Sequence, residues 1–234
     1  MDPLIAAVDV RSGYATGNVL QGVSIEVFPG EVVGVLGRNG VGKSTLMRTL
    51  IGLLPARSGT VRFRGTDVTR LPANRRASLG IGYVPQGRDV FPRMSVLDNI
   101  RMGQYVNPSR RFQPDEVYGY FPFLKERALQ RAGTLSGGQQ EMLAIARALV
   151  AAPDVLLLDE PSDGVQPSII QDIGAFIARL VESRPIGVLI VEQNIDLMQR
   201  VAQRAYVMDK GSVVASIGQD QIRDTEALAA FLAV

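Results

Sequence analysis

The pattern of hydrophobic and polar positions predicts a chain in which strands alternate with helices. Runs rich in valine, isoleucine and leucine, or with apolar residues at alternate positions, predict strands at 4–10, 19–27, 32–36, 59–65, 81–84, 155–158 and 187–191. Helical spacing follows at 45–50, 169–183 and about 194–203. The run 155–158 is apolar throughout, which is typical of a parallel strand that is covered on both faces.

The pattern changes between about residues 88 and 150, where helical spacing replaces the strand-like runs. Prolines break this part into pieces at 92, 108, 114 and 122. In its last helix Leu143, Ala146 and Leu149–Val150 recur on one face, which we expect to be buried. The sequence therefore predicts a mostly helical lobe that is inserted into the sheet domain.

Turn signals divide the rest of the chain. Ser12-Gly13-Tyr14 is turn-like and lies between the first two predicted strands, and Gly52 and Pro55 end the helix at 45–50. Near the end, 205–208 and 212–215 are expected to form a hairpin around Lys210-Gly211. The last fifteen or so residues form a short amphipathic end.

The composition suits one large domain or two closely packed lobes, since 46% of the 234 residues are hydrophobic. The formal net charge is +2, and the many arginines are scattered, with pairs at 75–76 and 110–111. A nucleic-acid surface concentrates its charge on one face, so we expect solvated arginines and no nucleic-acid partner. Cysteine is absent, the start does not have the pattern of a signal peptide, and the most apolar region, 144–158, is interrupted by charges and a proline.

Residues 37–45, GRNGVGKST, fit the pattern G-x-x-x-x-G-K-[ST] between a predicted strand and a predicted helix. Glycines let the backbone amides of such a P-loop line up against phosphate oxygens, and the following helix points its positive end at the same anion. Lys43 is placed to reach the β- and γ-phosphates, and the Ser44 hydroxyl to bind Mg²⁺. The candidate phosphate-binding residues are Gly37, Arg38, Asn39, Gly40, Val41, Gly42, Lys43, Ser44 and Thr45. The alternative, a glycine-rich turn before a lysine, explains the context less well.

Two acids end the apolar run at 155–158. Asp159 has the position of a Walker-B aspartate, which holds Mg²⁺ directly or through water. Glu160 is placed to polarise a water for attack on the γ-phosphate. Gln86 ends another predicted strand, and its amide can reach both the metal and that water. The alternatives are a pair of acids that cap a strand end and a glutamine without a special role.

A second glycine-rich segment, Ser136-Gly137-Gly138-Gln139, opens the last helix of the helical lobe. A serine and two glycines at a helix N-terminus can form an anion site. Because the chain already has a phosphate cradle at 37–45, a second one makes sense if it closes over a nucleotide that another subunit holds. The alternative is a serine N-cap followed by glycines in an ordinary turn.

The P-loop, Gln86, the sequence LSGGQ at 135–139 and LLLDEP at 156–161, in this order and spacing, resemble the ATP-binding subunit of an ABC transporter over essentially the whole chain. The resemblance implies an α/β fold with a RecA-like P-loop core, a small antiparallel β subdomain and an inserted helical subdomain at about 88–150. It implies a single ATP-binding domain over 1–234 that binds ATP and Mg²⁺. Two subunits would close head-to-tail on two nucleotides, so that 136–139 serve the partner's ATP.

The same resemblance places Tyr14 against the adenine ring of ATP; without it, Tyr14 is equally well an aromatic residue at a strand end. Residues 87–92 lie where this family holds a helix of the membrane subunit. Phe91 is then either an apolar anchor for that helix or an ordinary core residue. The resemblance implies two membrane permease subunits as partners and a peripheral position on the cytoplasmic face of the membrane.

Shorter segments resemble one branch of the family, the bacterial importers of branched-chain amino acids, urea and short amides. The segments are GRNGVGKS, GYVPQGRDVFP, PSDGVQPSIIQDIG and VEQN. Within this branch, 161–174 and the ending 231–234 are most similar to the second ATP-binding subunit of urea transporters. Urea is therefore the favoured solute, with a branched-chain amino acid or a short amide as the alternative. The branch also implies a periplasmic or extracellular solute-binding protein.

The chain departs from the family pattern at two positions. Gln193 stands where these subunits usually have a histidine that reaches the γ-phosphate, and Gln166 stands where an aspartate is common. A glutamine can donate a hydrogen bond to phosphate, so Gln193 is a candidate catalytic residue, but it cannot carry a proton near neutral pH. We therefore predict a heterodimer with a second ATP-binding subunit that has the histidine and the faster site.

Other classes of protein fit less well. Soluble ABC proteins that act on ribosomes or nucleic acid typically have two cassettes or long coiled-coil insertions, and this chain shows one cassette. A P-loop GTPase or small-molecule kinase gives no role to 136–139, and the Asn-Lys-x-Asp stretch that reads guanine is absent. Exporters of this family often carry membrane helices on the same chain.

Overall fold

The structure is a computed structural model that describes residues 2–15, 17–109, 112–226 and 228. In this part of the chain the strands are β1 (Ile5–Tyr14), β2 (Gly17–Val27), β3 (Val32–Leu36), β4 (Ala56–Phe63), β5 (Thr66–Asp67), β6 (Ile81–Val84), β7 (Val155–Asp159), β8 (Gly187–Val191), β9 (Arg204–Asp209) and β10 (Ser212–Gly218). The helices are α1 (Lys43–Ile51), α2 (Ala73–Leu79), α3 (Val96–Gln104), α4 (Pro114–Tyr118), α5 (Pro122–Glu126), α6 (Gly137–Leu149), α7 (Pro167–Ser183), α8 (Ile195–Val201) and α9 (Gln219–Arg223).

The strands form two sheets. An antiparallel sheet has the order β2-β1-β4-β5. A six-stranded sheet has the order β10-β9-β3-β8-β7-β6, in which the strands from β9 to β6 are parallel and β10 pairs antiparallel with β9. Strands β3, β7 and β8 are buried along their whole length, because they are covered on both faces. The predicted α/β class is confirmed.

The register of the large sheet brings three strand ends together. Val191 at the end of β8 pairs with Val35 of β3 on one side and with Asp159 of β7 on the other. The P-loop leaves β3, Glu160 leaves β7, and 192–194 leave β8 at this same edge. The carboxyl edge of a parallel sheet is where such folds bind ligands, so the sheet itself positions the candidate residues.

The segment between β6 and β7 is helical, as predicted, and contains α3 to α6 with a short 3₁₀ turn at Ala132–Thr134. The face of α6 that carries Leu143, Ala146 and Leu149 is buried, which confirms the predicted spacing. The buried hydrophobic residues of these helices belong to one cluster with residues of the large sheet. The helical segment therefore shares a core with the sheet, and its standing as a separate subdomain stays a prediction.

The first hairpin differs from the prediction. Ser12-Gly13-Tyr14, expected to be a turn, is the end of β1, which pairs with β2 up to the partners Tyr14 and Gly17. A Cβ atom on Gly13 would lie 2.1 Å from the carbonyl oxygen of Gly17. The glycine is thus explained by the close approach of two strands rather than by a turn.

The hydrophobic pattern does not predict helix α2, because the buried residue of this helix is an arginine. Arg76 is 1% exposed and donates hydrogen bonds of 2.7–2.9 Å to the carbonyls of Thr49, Leu50, Thr69 and Leu71. The first two of these carbonyls lie at the end of α1, where helical partners are lacking. Burial lowers the pKa of Arg76. The expectation of solvated arginines at 75–76 is therefore wrong for Arg76, and residues 110–111 lie outside the described part of the chain.

Candidate functional site

The P-loop forms a tight turn between β3 and α1 that depends on its glycines. Gly37, Gly40 and Gly42 have φ angles of 151°, 82° and 110°, a region that favours glycine. A Cβ atom on Gly37 would lie 2.4 Å from the carbonyl oxygen of Met208. The loop therefore passes too close to β9 for any side chain at Gly37, and α1 begins directly behind it with its N-terminus towards the loop.

The ammonium group of Lys43 is held inside this loop. Lys43 is 4% exposed, and its Nζ donates to the carbonyls of Gly37 at 2.8 Å and Arg38 at 3.1 Å. The Oε1 atom of Glu160 lies 3.5 Å from the same Nζ. A positive charge is thus kept at the centre of the loop, where the sequence predicts the β- and γ-phosphates.

Ser44 of the P-loop contacts Asp159 at the end of β7. The Ser44 hydroxyl donates to Oδ1 of Asp159 at 3.0 Å, and the Tyr83 hydroxyl donates to Oδ2 at 3.3 Å. Burial raises the pKa of Asp159, although the hydrogen bond from Ser44 opposes this shift. Burial and the neighbouring Asp159 raise the pKa of Tyr83. Oxygen atoms are the ligands that Mg²⁺ prefers, so Ser44 and Asp159 fit a magnesium ion by their chemistry and proximity.

The carboxylate of Glu160 is surrounded by donors. Gln193 Nε2 donates to its Oε1 at 2.9 Å, Gln86 Nε2 donates to its Oε2 at 3.0 Å, and Lys43 is close to Oε1. Gln193 also bonds the Asn39 side chain, which ties the end of β8 to the P-loop. Glu160 has a positive φ of 52°, unusual for a non-glycine residue. Such backbone strain is found most often at functional sites.

An open cleft of about 470 Å³ lies beside Glu160. Its lining comes from the P-loop and from the loops after β6, β7 and β8: Asn39, Gln86, Glu160, Ser162, Asp163, Gly164, Glu192, Gln193 and Asn194. The sequence predicts Gln86 as a ligand of both metal and water. Its amide reaches Glu160 and, at 3.2 Å, Asp163, while Asp159 is bonded by Ser44 and Tyr83. The metal role of Gln86 stays a prediction.

Glu192 is a site residue that the sequence analysis missed. It is 2% exposed, and its carboxylate accepts hydrogen bonds from the backbone amides of Ser162 at 2.8 Å, Gln193 at 3.0 Å and Asn194 at 3.1 Å. Burial raises the pKa of Glu192, and these hydrogen bonds oppose the shift. Glu192 thus joins the loops that follow β7 and β8. Its signal was an acid directly after a buried strand, the position that Glu160 has after β7.

The LSGGQ segment forms the start of α6. The Ser136 hydroxyl accepts from the Gln139 amide at 3.3 Å, and the Gln139 side chain accepts from the Ser136 amide at 3.1 Å, which is a capping box. Ser136 is exposed, Gly137 is half-buried and Gly138 is buried, and a Cβ on Gly138 would lie 2.8 Å from the Ile169 side chain. The N-cap interpretation is therefore correct as local structure, and the anion site stays a prediction.

The sequence also did not predict the roles of two charged residues near this segment, Glu141 and Arg88. Glu141, on the second turn of α6, is 4% exposed, and burial raises its pKa to about 8. The charge of Arg88 partly offsets this shift, whereas Glu192 and Asp163 add to it. A glutamate within a helical run gives no sequence signal of burial, because acids are rarely buried without a partner.

Tyr14 ends β1 with an aromatic ring that is 43% exposed. Its hydroxyl accepts a hydrogen bond of 3.2 Å from Arg48 of α1, and Arg57 bonds its carbonyl oxygen. The side chain is thus anchored at its tip, and its ring is accessible. Stacking on adenine stays a prediction.

A groove of about 710 Å³ lies between the helical segment and the large sheet. Most of its lining is apolar: Ile51, Leu53, Ala73, Asn74, Ala77, Ile81, Tyr83, Val84, Asp89, Val90, Phe91, Met102, Gly103, Val106, Ala144, Arg147, Ala148 and Ala151. Phe91 is 42% exposed, and its ring lies 5.0 Å from the Arg147 guanidinium. This exposure does not fit the alternative that Phe91 is an ordinary core residue. Among the described residues, the helices are all too short or too polar to cross a bilayer.

Comparison with known proteins identifies the family. A model of the ABC transporter family matches residues 20–163. The high-affinity branched-chain amino acid transport ATP-binding protein BraG of Pseudomonas aeruginosa is 45% identical over 207 residues, 88% of each chain. The lipopolysaccharide export system ATP-binding protein LptB of Haemophilus influenzae is 35% identical over 228 residues, 95% of this chain and 94% of that one.

The fold agrees with solved structures of the same family. The ADP conformation of MJ1267, an ATP-binding cassette of an ABC transporter, matches with a TM-score of 0.85 and 27% identity over 99% of both chains. The family model spans more than half of this chain, and the relatives cover most of it. The chain therefore belongs to the ABC transporter family, as an ATP-binding and ATP-hydrolysing subunit.

Proposed function

We propose that residues at the carboxyl edge of the large sheet hydrolyse ATP with Mg²⁺ and thereby power the uptake of a small nitrogen compound. The observation that carries this proposal is the position of Glu160. Its carboxylate lies 3.5 Å from the Lys43 ammonium and accepts hydrogen bonds from Gln86 and Gln193. A carboxylate fixed beside the phosphate-binding lysine is placed to act as a general base.

The roles of the individual residues follow from these contacts. The P-loop amides and Lys43 bind the phosphates, and Ser44 with Asp159 holds Mg²⁺, which supplies charge neutralisation on the phosphate oxygens. An Oε atom of Glu160 accepts the proton of the attacking water. Gln86 and Gln193 keep the carboxylate oriented, and Gln193 also donates to the γ-phosphate. Tyr14 stacks on the adenine.

Ser136 to Gln139 serve the ATP of a second subunit. The exposure of Ser136 at the start of α6 supports this assignment, because an anion site that faces solvent is free to meet another chain. We propose a heterodimer, since Gln193 lacks the proton-carrying capacity of histidine. Gel filtration of the Glu160→Gln variant with ATP tests this pairing. The variant is expected to stay monomeric alone, and a tight dimer of this chain with itself would overturn the obligatory partner.

A permease helix docks in the 710 Å³ groove, and the chain acts at the cytoplasmic face of the membrane. The apolar lining and the exposed Phe91 support this position for the permease. Two permease subunits and a solute-binding protein complete the importer. Neither surface charge nor the described fold favours nucleic acid as a partner.

A branched-chain amino acid is the first candidate solute, because BraG carries that function in its name and is 45% identical to this chain over 207 residues. Urea is the second candidate, because residues 161–174 are similar in sequence to the second ATP-binding subunit of urea transporters. The other similar segment, 231–234, lies outside the described residues. A short amide is the third. The similarity to LptB supports an export role as a different class of function.

Uptake of labelled leucine and labelled urea at low external concentration tests the solute, in cells that lack the chain and after its restoration. Loss of leucine uptake alone would support the first candidate, and loss of urea uptake alone the second. If neither uptake changes, the first two candidates fail, and uptake of a labelled short amide is measured. An export role or a soluble role on ribosomes or nucleic acid would then be tested next.

A further inference from the structure

The loop after β6 contains an arginine in an unusual conformation. Gly87, Arg88 and Asp89 have consecutive positive φ angles of 95°, 74° and 45°. A non-glycine residue in this region is uncommon and costs conformational energy. Two of them in succession are retained where the surrounding contacts hold the loop, so the contacts of Arg88 are informative.

The Arg88 guanidinium touches two other segments of the chain. Its Nη2 donates to the carbonyl of Gly164 at 3.2 Å and approaches that of Asp163 at 3.5 Å. On its other side it lies against Gly137: a Cβ atom there would be 2.7–3.0 Å from the Nη1, Cζ and Nη2 atoms. Gly137 thus leaves the space that the guanidinium occupies.

The charge of Arg88 acts on a buried acid of α6. Glu141, buried one turn beyond Gly137, feels the favourable charge of Arg88 and the unfavourable charges of Asp163 and Glu192. A planar guanidinium can pack on a glycine backbone, donate to carbonyls and offset a carboxylate at the same time. A lysine ammonium keeps the charge but has a different shape and fewer fixed donors.

We infer that Arg88 is a positioning residue that joins the loop after Gln86 to the LSGGQ segment and to the loop 162–164. Its neighbours Asp89, Val90 and Phe91 line the groove. A displacement of these groove residues would be passed through Arg88 to the LSGGQ segment and to the loop 162–164, which lines the cleft beside Glu160. This inference rests on the proposed function, in which the groove receives the permease and 136–139 close over the partner's ATP.

Hydrogen exchange of the intact chain tests the positioning directly. In Arg88→Ala, amides of 136–141 and 160–165 are expected to exchange about tenfold faster, the factor for loss of about one charge-assisted hydrogen bond. Peptides from the P-loop and α1 should exchange as in wild type. Arg88→Lys should restore part of the protection, and Arg93→Ala, which removes an exposed arginine from the same loop, should change nothing. Equal exchange in Arg88→Ala and Arg93→Ala would overturn the inference.

ATP hydrolysis by the assembled transporter separates this inference from the proposed function. Arg88→Ala is expected to lower kcat about tenfold, as small misplacements of reacting groups do, with an unchanged KM for ATP, and Arg88→Lys to recover part of it. If wild type does not hydrolyse ATP, the proposed function fails. If wild type does and Arg88→Ala matches Arg93→Ala, only the inference fails. If Arg88→Ala does not fold, the Arg88→Lys comparison in both measurements decides.

Discussion

On the proposed function, the chain carries two half-sites that are built in different ways. The P-loop half, with Lys43, Asp159 and Glu160, rests on strands β3, β7 and β8, which are buried along their whole length. The LSGGQ half rests on one helix end, which is closed by hydrogen bonds between Ser136 and Gln139. Lys43 is 4% exposed, whereas Ser136 faces solvent.

The difference shows which half is already assembled within a single chain. The side chains of the P-loop half already contact one another across long stretches of sequence, because sheet register fixes them. The LSGGQ half has a capping box, contacts with Arg88 and Ile169, and an exposed Ser136. On the proposed mechanism it gains its function when another subunit's nucleotide arrives. Changes in the first half should therefore affect this chain's own ATP, and changes in the second should affect the partner's ATP.

Glu160→Gln should have the largest effect, within the P-loop half. The amide keeps the size of the side chain but cannot accept a proton, so hydrolysis should fall by roughly 10²–10⁴, the usual contribution of a general base. ATP binding should remain, because Lys43 and the loop are unchanged. Hydrolysis and nucleotide-binding titrations measure both, with Glu182→Gln on the exposed side of α7 as the control. Unchanged hydrolysis would remove Glu160 from the mechanism.

Leu157→Ala should have the next largest effect, because it opens a cavity at β7, one of the strands that support the P-loop half. Leu157 is 0% exposed, and truncation of such a leucine costs about 2–5 kcal/mol of unfolding free energy. Denaturant titration measures the loss. Leu129→Ala, at an 88% exposed position, is the matched control and should stay near wild type. Similar stability of the two variants would contradict the claim that the sheet is the rigid support.

Glu141→Gln should change how stability depends on pH in the LSGGQ half. The folded pKa of Glu141 is about 8, above its ordinary value of 4.5, so the folded state binds the extra proton. Wild type should lose stability as the pH rises from about 4.5 to 8, on the order of 1–3 kcal/mol. The glutamine variant lacks this loss and should be the more stable protein above pH 8. Thermal unfolding of both proteins across that pH range measures the difference. The same slope of stability against pH in both would contradict the burial of the Glu141 carboxyl group.

Ser136→Ala should have the smallest effect on folding and the most selective effect on function. Loss of the N-cap costs about 1 kcal/mol. Ser95→Ala removes a similar cap from α3 and is the matched control for stability. In the assembled transporter, Ser136→Ala should lower hydrolysis about tenfold more than the control, through one lost charge-assisted hydrogen bond. Equal hydrolysis by the two variants would leave Ser136 as a cap alone.

The sequence predicts the P-loop half well, because each part of it has a strong local signal. β3 and β8 have the predicted bounds, and the glycine pattern places Lys43 in the P-loop at the first residue of α1. The buried charged residues that were missed depend on tertiary contacts. Glu192 matters because it accepts hydrogen bonds from backbone amides of two loops. Arg76 matters because it donates hydrogen bonds to the carbonyls at the end of α1. Ser162 is 30 residues from Glu192, and Thr49 and Leu50 are 27 and 26 residues from Arg76, so the periodicity of the sequence does not predict these contacts.

The most direct test of the two half-sites is photolabelling of trapped ATP in the purified transporter, with each ATP-binding subunit resolved separately. Lys43→Ala in this chain should abolish labelling of this chain and leave the LSGGQ half able to serve the other subunit. Ser136→Ala should lower labelling of the other subunit and leave this chain's label near wild type. A loss of this chain's own label in Ser136→Ala would contradict the account, because it would place both half-sites on one nucleotide.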